Sequence, residues 1–327
     1  MHMPKRHLLC LLAGAAMLAA LPARAQDKFP DRPIMFVVPF PPGGPTDAMA
    51  RILATELTKE LGQSVVVDNR GGAGGNIGAD AVARATPDGY TIMFGTSGPL
   101  AINHSLYKGM KYDPRTSFEP VMYVGYLPNI LVVRPGLGVS NVQELIAKEK
   151  VKPGTLSFAS SGNGASSHLA GVLFNELAGS RLMHVPYKGT GPALNDLLGG
   201  QVDMTFTDIL TAMPYIKSDK IKALGVATAR RSSAMPDIPS IAEQGVKGYD
   251  VSVFFGVVAP KGTPADRVKL LNQGFSRALD SEKVKQTFAQ QGLEVSADRS
   301  PAYLGQFIKA EVDKWAKVIK QSGVQLD

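Results

Sequence analysis

Cysteine is nearly absent from this sequence of 327 residues: Cys10 is the only one, and it lies in an apolar segment near the N-terminus. The chain after it has no thiol for a disulfide framework, a thiolate metal site or a cysteine nucleophile. Histidine is also scarce, and His104, His168 and His184 do not have the spacing of metal ligands. The HExxH and GxSxG patterns are missing as well. We therefore expect no metal and no catalytic residue.

Long runs of one charge sign are missing too. Three of the 35 basic residues (Lys5, Arg6 and Arg24) lie in the N-terminal segment, and the other 32 stand against 28 acidic residues. No later basic run is longer than Arg230-Arg231. Interspersed, mildly basic charge argues against nucleic acid or an anionic membrane surface as the partner. It is compatible with a small anionic ligand.

Nucleotide-binding signatures are absent. The glycine-rich segment 70–78 has no GxGxxG register, because Ile77 stands where the third glycine would be needed. No Gly-Lys-Ser/Thr sequence is present either. We expect no cofactor, and we expect this segment to form a turn or a wall of a cleft.

Residues 1–25 have the order of an export signal. Lys5 and Arg6 precede the apolar run Leu8–Leu21, and Ala23-Arg24-Ala25 is a small-x-small cleavage site. The apolar run is too short to favour a membrane span. We expect a periplasmic protein that is cleaved near Ala25 and has no membrane anchor.

Apolar strands alternate with amphipathic helices along the rest of the chain, which is typical of a parallel α/β sheet buried on both faces. The predicted strands are Ile34–Phe40, Ser64–Asp68, Thr91–Thr96, Leu156–Ser160, Leu182–Tyr187, Val202–Thr207 and Ile221–Ala227. The main predicted helices are Asp47–Leu61, Ala79–Ala85, Val142–Lys150, Val268–Leu279, Ser281–Gln290 and Tyr303–Ile319. A capping box of Ser140 and Gln143 predicts the start of the third helix. Trp315, Tyr303 and Phe307 have helical spacing and are predicted to be core residues.

Two stretches interrupt the alternation of strand and helix. Two extended runs, Pro120–Gly125 and Asn129–Val133, meet at Leu127-Pro128, and Tyr249–Val258 is a second long extended stretch. The length suits about two domains, and we interpret both stretches as chain crossings. The sequence predicts domain 1 from residues 26–127 and 251–327, and domain 2 from residues 128–250. A ligand cleft between the domains is expected at the carboxyl ends of the strands.

Two loops after strands carry the strongest indications of a binding site. The first is Phe40–Asp47, in which Thr46 is a natural helix N-cap and the glycines let the backbone approach a ligand. A helix N-terminus binds carboxylate or phosphate. We expect Asp47 to serve the helix dipole and to pair with Arg51, because an anion there would repel a bound anion.

The second loop, Ser160–His168, repeats the same design in the other half of the chain. Two such loops across a cleft could hold the two ends of a dicarboxylate. His168 is either a hydrogen-bond donor to the ligand or a packed or capping residue. Thr96 and Ser97, after the third strand, are further candidates for lining the cleft, with a capping role as the alternative.

The sequence resembles the Bug (TctC-like) family, the extracytoplasmic solute receptors of tripartite tricarboxylate transporters, over essentially the whole chain after residue 25. Several motifs in the family's order carry the resemblance: 38–51, 69–75, Pro87-Asp88-Gly89-Tyr90, 161–169, His184–Gly189, Asp237–Ser240 and 259–264. It implies an α/β, two-domain periplasmic-binding-protein (Venus-flytrap) fold with two chain crossovers. It also implies a ligand, usually an organic carboxylate, enclosed in the cleft between the domains and delivered to membrane transporter subunits.

The resemblance places ligand contacts at Pro42–Thr46 and Ser161–Ser167, through backbone groups, hydroxyls and bridging waters. The full set of expected ligand-binding residues is Pro42, Gly43, Gly44, Pro45, Thr46, Thr96, Ser97, Ser161, Gly162, Asn163, Gly164, Ala165, Ser166, Ser167, Tyr187, Asp208 and Phe255. We expect a monomer with hinges near Leu127–Asn129 and Asp250–Val253. Gly164→Asp is expected to abolish binding by filling and charging the cleft.

Two departures from the family pattern bear on the ligand. Ala165 stands where many relatives have serine or threonine, and Phe254 stands where tryptophan is frequent. They favour a longer or aromatic carboxylate over a small amino acid. Two alternatives stay open: a ligand sensor for a membrane signalling protein, and a secreted α/β hydrolase that would use Ser167 and His168.

Overall fold

The computed structural model describes residues 28–326, so the predicted export signal lies outside the described residues. The chain divides into a short N-terminal unit, Met1–Asp31, and a main unit, Arg32–Asp327. Residues 28–31 contain no helix or strand. All the elements below belong to the main unit. Within residues 28–326, no helix has the length and apolarity that a membrane crossing requires.

The strands and helices follow the predicted alternation, with ends shifted by a few residues. The strands are Ile34–Val38 (β1), Val65–Asn69 (β2), Thr91–Thr96 (β3), Phe118–Val133 (β4), Ser157–Ser160 (β5), Met183–Pro186 (β6), Met204–Asp208 (β7), Lys222–Val226 (β8), Ser252–Pro260 (β9) and Glu294–Val295 (β10). The α-helices are Pro45–Leu61 (α1), Asn76–Ala83 (α2), Asn103–Leu106 (α3), Val142–Val151 (α4), Ser166–Ala178 (α5), Thr190–Leu198 (α6), Ile209–Lys217 (α7), Ala265–Asp280 (α8), Glu282–Gln290 (α9) and Pro301–Ser322 (α10). Short helical turns also form at Ala73–Gly75 and Gly98–Ile102.

The strands of the described residues form a mixed sheet in the order β2-β1-β3-β9-β4-β7-β5-β6, with β8 and β10 each paired to β4. β1 pairs in parallel with β2 and β3, and β5 pairs in parallel with β6 and β7. The predicted all-parallel sheet is therefore wrong at its centre, where β4 and β9 run antiparallel to their neighbours. The chain crosses between the two halves at these strands. Strand β4 enters the second half antiparallel to β7, and β9 enters the first half antiparallel to β3.

Strand β4 divides the sheet into two lobes. Phe118–Pro128 pairs with β9 in the first lobe, which also holds β1, β2, β3 and β10. Asn129–Val133 pairs with β7 in the second lobe, which also holds β5, β6 and β8. The two predicted runs that meet at Leu127-Pro128 are thus one continuous strand, because ladder bonds to β9 continue up to Pro128.

Gly125 permits the tight pairing of β4 with β10. Its φ is +154°, and a Cβ atom there would lie 2.2 Å from the carbonyl oxygen of Glu294. The Glu294 carboxylate then links the lobes, accepting hydrogen bonds from the Tyr126 hydroxyl in the first lobe and from Ser232 Oγ in the second.

A large apolar core continues from one lobe into the other. Helix α10 contributes Trp315, which is 1% exposed, and contacts both β4 and α5. Tyr303 and Phe307 on the same helix are partly buried and pack edge-on or tilted against Tyr123. The prediction of a core position is confirmed for Trp315, whereas Tyr303 and Phe307 pack against the edge of the core.

Helix α4 begins one residue later than the predicted capping box implies. Asn141, not Ser140, is the N-cap, and its side chain accepts a hydrogen bond from the Glu144 N–H at 2.8 Å. The Glu144 carboxylate reaches back to the Ser140 N–H at 2.7 Å. Gln143 instead bonds to the carbonyl of Gln244. Asn and Ser are comparable N-caps, so the pattern alone did not distinguish two adjacent candidates.

Candidate functional site

A cavity of about 220 Å³ lies where the two lobes meet. It is smaller than the roughly 300–1,000 Å³ of pockets for drug-sized ligands, so it suits a small molecule. The lining residues come from both lobes and from the crossing strands: Pro45, Thr46, Leu127, Asn129, Ser161, Ser166, Ser167, Thr190, Ala193, Thr205, Phe206, Thr207, Asp208, Leu210, Thr211, Val253, Phe255 and Gln291.

The described wall of the cavity contains first turns of helices and no cation. Among the described residues that line it there is no lysine, arginine or histidine, and Asp208 is the one ionisable side chain. Four helices, α1, α5, α6 and α7, have first-turn residues in its wall. The first turn of a helix carries unbonded N–H groups and about half a positive charge. The cavity can therefore hold an anion without a salt bridge.

The first loop builds the start of α1. Gly44 is the N-cap and Pro45 the first helical residue, so Thr46 is not the predicted cap and makes no capping bond. Proline suits this position because its fixed φ matches the helix and its missing N–H costs nothing there. Thr46, one residue further in, lines the cavity with its neighbour Pro45.

Asp47 holds this loop in place from behind. Its carboxylate is 4% exposed and accepts hydrogen bonds from the Gly43 N–H at 2.9 Å, Arg51 Nε at 3.0 Å and Asn69 Nδ2 at 3.0 Å. Arg51, with help from the Gly43 and Asn69 donors, lowers the pKa of Asp47 to about 2. The expected pairing with Arg51 is confirmed, and Asp47 does not line the cavity.

Replacing Asp47 with asparagine is expected to lower the free energy of unfolding by about 2 kcal/mol, because it weakens hydrogen bonds to a buried charge. Urea unfolding at neutral pH measures the change. Asp68→Asn is the matched control, since Asp68 is more exposed and its carboxylate pairs with Arg70 alone among the described contacts. Equal losses for the two variants would contradict the supporting role of Asp47.

The second loop is held by its own hydroxyl groups. Ser167 Oγ accepts from the Ser161 N–H and lies 3.0 Å from Ser161 Oγ. Ala165 is the N-cap of α5 and, lacking a hydroxyl, leaves the first turn without a side-chain cap. Many relatives have serine or threonine at this position. With alanine there, no side-chain oxygen at the cap competes with a ligand for the N–H groups of this turn.

His168 is a packed and capping residue, one of the two roles left open by the sequence. It is 3% exposed, and its Nδ1 accepts a hydrogen bond from the Gly164 N–H at 3.0 Å. Its ring stacks on His184 with centroids 3.8 Å apart, and His184 Nε2 lies 2.6 Å from Ser160 Oγ. Burial lowers the pKa of His168 to about 4 and that of His184 in the same direction.

The Ser160–His184 pair was not found from the sequence, because 24 residues separate its members. A serine hydroxyl beside a histidine resembles a nucleophile and its base. Ser160, however, is 0% exposed, so a substrate has no access to its hydroxyl. Nowhere in the described part of the chain do three or more His, Cys, Asp or Glu side chains form a group that could hold a metal ion.

The structure places seven of the predicted ligand-binding residues in the wall of the cavity: Pro45, Thr46, Ser161, Ser166, Ser167, Asp208 and Phe255. The others lie in or behind the same loops, or in neighbouring elements: Pro42, Gly43, Gly44, Thr96, Ser97, Gly162, Asn163, Gly164, Ala165 and Tyr187. Tyr187 is turned to Asp196, to which its hydroxyl donates at 2.7 Å. Asp208 caps α7, accepting from Thr211.

Gly164 contacts the first lobe instead of lining the cavity. Its φ is +75°, and a Cβ atom there would lie 2.3 Å from Leu106 Cδ2. A substitution at Gly164 would therefore disturb the contact between the lobes. An effect of Gly164→Asp on binding is expected from that contact and not from filling the cavity, as the sequence had suggested.

Strand alternation separates the two phenylalanines of β9. Phe255 lines the cavity, whereas Phe254 is 1% exposed and packs against Tyr123 and Phe307 in the core. Phe254 is not among the described residues that line the cavity. Phe254, which stands where tryptophan is frequent in the family, therefore packs in the core. Its smaller ring does not enlarge the cavity and is no argument for a larger ligand.

Several lining residues were not found from the sequence. They are Leu127, Asn129, Thr190, Ala193, Thr205, Phe206, Thr207, Leu210, Thr211, Val253 and Gln291. Five of the eleven lie at or after the carboxyl end of β6 or β7, where the rule on strand carboxyl ends would have placed them: Thr190, Ala193, Thr207, Leu210 and Thr211. Leu127, Asn129 and Val253 stand in the stretches predicted as hinges. Gln291, beyond the end of α9, carries no signal in the sequence.

Comparison with known proteins agrees with this architecture. The sequence model described as tripartite tricarboxylate transporter family receptor, TctC, matches residues 49–324. The chain belongs to the TctC family. BugT of Bordetella pertussis is 41% identical to this TctC receptor over 316 residues, which are 96% of each chain.

Two solved structures share the fold of the TctC receptor. One, from R. palustris and determined with adipate, is 38% identical with a TM-score of 0.77 and covers 91% of this chain and 99% of its own. MatC from Rhodopseudomonas palustris with bound malate is 35% identical with a TM-score of 0.74 and covers 89% of this chain and 100% of its own. The expected two-domain periplasmic-binding-protein fold is confirmed.

Proposed function

We propose that this TctC-family chain is a periplasmic receptor that encloses a small organic carboxylate between its lobes and delivers it to the membrane subunits of a tripartite transporter. The observation that carries the proposal is a cavity whose described lining residues include first turns of four helices and no cation. Helix N-termini favour an anion there. Relatives with adipate and with malate support a carboxylate as that anion.

The ligand carboxylate is proposed to lie between the first turns of α1 and α5. Thr46, Ser166 and Ser167 line the cavity at these turns and offer hydroxyl groups beside the free N–H groups. Pro42–Gly44 and Gly162–Ala165 act by holding the two turns in place. Thr96, Ser97 and Tyr187 support the wall from neighbouring positions.

Closure of the lobes is proposed to accompany binding. A ligand favours the closed state only if it binds that state more tightly, and contacts to both lobes satisfy this condition. The proposed domains are residues 26–127 with 251–327, and residues 128–250. They meet in β4 near Leu127–Asn129 and before β9 near Asp250–Val253, where the hinges are proposed.

The receptor is proposed to act as a monomer, exported and cleaved near Ala25, and to release its ligand chemically unchanged. Catalysis by the Ser160–His184 pair would need access to a hydroxyl that is 0% exposed. Catalysis by Ser167 and His168 would need His168 as the base, but its Nδ1 already accepts the Gly164 N–H.

A thermal-shift screen of the exported protein tests this function. The protein is unfolded and refolded to remove carried-over ligand, then tested with mono-, di- and tricarboxylates, aliphatic and aromatic. A ligand at 100 times its Kd adds about 2.7 kcal/mol of stability, so Tm is expected to rise by about 5 °C or more. Ser167→Ala should reduce this shift, whereas Ser218→Ala, at a serine that bonds only to its own helix turn among the described contacts, should leave it unchanged. A flat screen with well-folded protein would refute carboxylate binding.

A further inference from the structure

A second cavity, of about 500 Å³, lies behind the two crossing strands. Tyr126 of β4 and Ser252 of β9 line it, whereas their neighbours Leu127 and Val253 line the cavity described above. Adjacent residues of a strand point to opposite faces, so the two cavities lie on opposite faces of these strands. The volume of the second cavity is within the range of roughly 300–1,000 Å³ that is common for small organic ligands.

Aromatic rings form one corner of this cavity. Tyr123 and Tyr303 meet edge-on, with ring centroids 5.2 Å apart and ring planes at 81°. The Phe307 ring completes the corner, at 4.8 Å from the Tyr123 centroid and 5.9 Å from the Tyr303 centroid. All three residues line the cavity. The faces of such rings attract a cation that lies within about 6 Å.

Tyr123 brings a hydroxyl group without a partner into this corner. The residue is 3% exposed, and its hydroxyl makes no hydrogen bond with any described residue. That oxygen is not one of the fully buried atoms that lack a partner, so it keeps accessible surface in the cavity that its residue lines. Most polar groups on buried side chains have a partner, so this hydroxyl points to a polar group of a ligand.

The wall of the cavity is acidic. Its described lining residues include the carboxylates of Asp250, Glu294 and Asp298 and one cation, Arg230. Three carboxylates against one guanidinium give a formal charge of −2. Arg230 is exposed and makes no ion pair within the described part of the chain. This balance of charge favours a cationic ligand and disfavours an anionic one.

Asp250 has a carboxylate oxygen left for a ligand. Its Oδ1 accepts a hydrogen bond from the Ala229 N–H at 3.2 Å, and its Oδ2 has no partner among the described contacts. Lys314 donates to the backbone carbonyl of Asp250, but its ammonium is already in an ion pair. Burial raises the pKa of Tyr123 and of Tyr126, and the charge of Asp250 adds to the rise in both. The Asp250 carboxylate and the two phenols therefore lie close to one another in the wall.

We propose that this cavity binds a small organic ammonium ion, with its N–H groups on the Tyr123 hydroxyl and the Asp250 carboxylate and its charge against the aromatic corner. An ammonium group donates up to three hydrogen bonds and accepts none, which matches two oxygen atoms that lack donors. Three carboxylates in the wall would repel an anion. The site is separate from the cavity proposed for the carboxylate, so neither proposal depends on the other.

Calorimetry with butylammonium and 1-butanol, two probes of the same chain length, tests the requirement for positive charge. Both are titrated at equal ionic strength into the refolded exported protein. Butylammonium is expected to bind about tenfold more tightly than 1-butanol, through the aromatic rings and hydrogen bonds to a charged group. Equal binding of the two probes would overturn the inference, and so would the absence of saturable binding of butylammonium.

Variants of the wall assign the binding to its residues. Tyr123→Phe keeps the ring, breaks no described hydrogen bond and should weaken butylammonium binding about fivefold. Asp250→Asn keeps an acceptor for the Ala229 N–H and should weaken it about tenfold. Arg230→Gln removes the one cation of the described wall and should tighten it about threefold.

Tyr215→Phe is the matched control for the loss of a phenol hydroxyl. The Tyr215 hydroxyl also has no partner among the described contacts, and its ring packs against the core of the second lobe without lining this cavity. The control should leave the Kd of butylammonium unchanged.

The remaining outcomes are decisive as well. Unchanged affinity in both Tyr123→Phe and Asp250→Asn would place the ammonium ion elsewhere and overturn the inference. Weaker binding in Arg230→Gln would show that the acidic wall does not select the ligand, which also overturns it. The carboxylate screen is run on the same preparations, so failure at this site leaves the proposed receptor standing, and a flat carboxylate screen leaves this site standing.

Discussion

Acidification from pH 6.5 to pH 4 is expected to lower the free energy of unfolding by about 3 kcal/mol through His168 and its stacked partner His184. The pKa of His168 falls from the ordinary 6.5 to about 4 in the folded protein, because the ring is buried and lies against a second imidazole. Each unit of pKa difference between folded and unfolded states corresponds to about 1.4 kcal/mol.

The direction of the effect follows from proton uptake. Between pH 6.5 and pH 4 the unfolded chain binds a proton at His168 that the folded chain does not bind. Stability is therefore complete above pH 6.5, falls as the pH decreases toward 4, and changes no further through this group below pH 4. Asp47, with a folded pKa of about 2, acts in a separate window between its ordinary value near 4 and pH 2.

Chemical unfolding at a series of pH values, with and without one substitution, measures this effect. His168→Asn removes the ionisable ring and retains an oxygen that can accept the Gly164 N–H. It should flatten the fall in stability between pH 6.5 and pH 4. His104→Asn is measured in parallel, as a substitution at a histidine outside the stacked pair. Parallel pH profiles for His168→Asn and the natural chain would show that this histidine is not the source of acid sensitivity.

Gly164→Ala is expected to weaken ligand binding by about tenfold to a hundredfold. The added Cβ atom would lie 2.3 Å from Leu106 Cδ2, and Leu106 is 1% exposed and held in the first lobe by the bond from Leu326 N–H to its carbonyl. Overpacking of this kind costs about 1–3 kcal/mol. Because Gly164 and Leu106 belong to different lobes, the proposed closure would place this cost on the closed state and relieve it when the lobes separate.

Two further variants separate this contact from backbone strain. Gly136→Ala is the matched control, since Gly136 has φ +76° against +75° at Gly164 and no atom within 4 Å of an added Cβ. It should lose some stability but keep the natural affinity. Leu106→Ala in the Gly164→Ala background should restore much of the affinity by removing the clashing methyl group. Calorimetry with the carboxylate that gives the largest thermal shift measures all three. Equal affinities of Gly164→Ala and the natural chain would show that Leu106 adjusts at no cost.

Much of the fold was readable because its signals are local. Apolar runs bounded by glycine and proline predicted the strands, and the spacing of apolar residues predicted the helices, usually within a few residues of their ends. The antiparallel direction of β4 and β9 has no such signal, because the direction of a strand depends on the path of the connection that precedes it. Closely similar caps, such as Ser140 and Asn141, were also not distinguishable by pattern.

The candidate site was readable where a loop follows a strand and opens a helix. Pro45, Thr46, Ser161, Ser166 and Ser167 were expected there and line the cavity. Their role as ligand contacts stays a proposal. Phe254 and Phe255 show the limit of such reading, because adjacent residues of a strand face opposite sides and only packing shows which side is the core.

The sequence by itself determined the family, the alternation of strands and helices, and the two loops where an anion would be held, since each depends on residues close together along the chain. Only the tertiary structure decided that His168 stacks on His184, that Gly164 meets Leu106, and that first turns of four helices line one cavity. The physical reason is that such contacts join residues far apart in sequence, whose distances are set by how the two lobes pack.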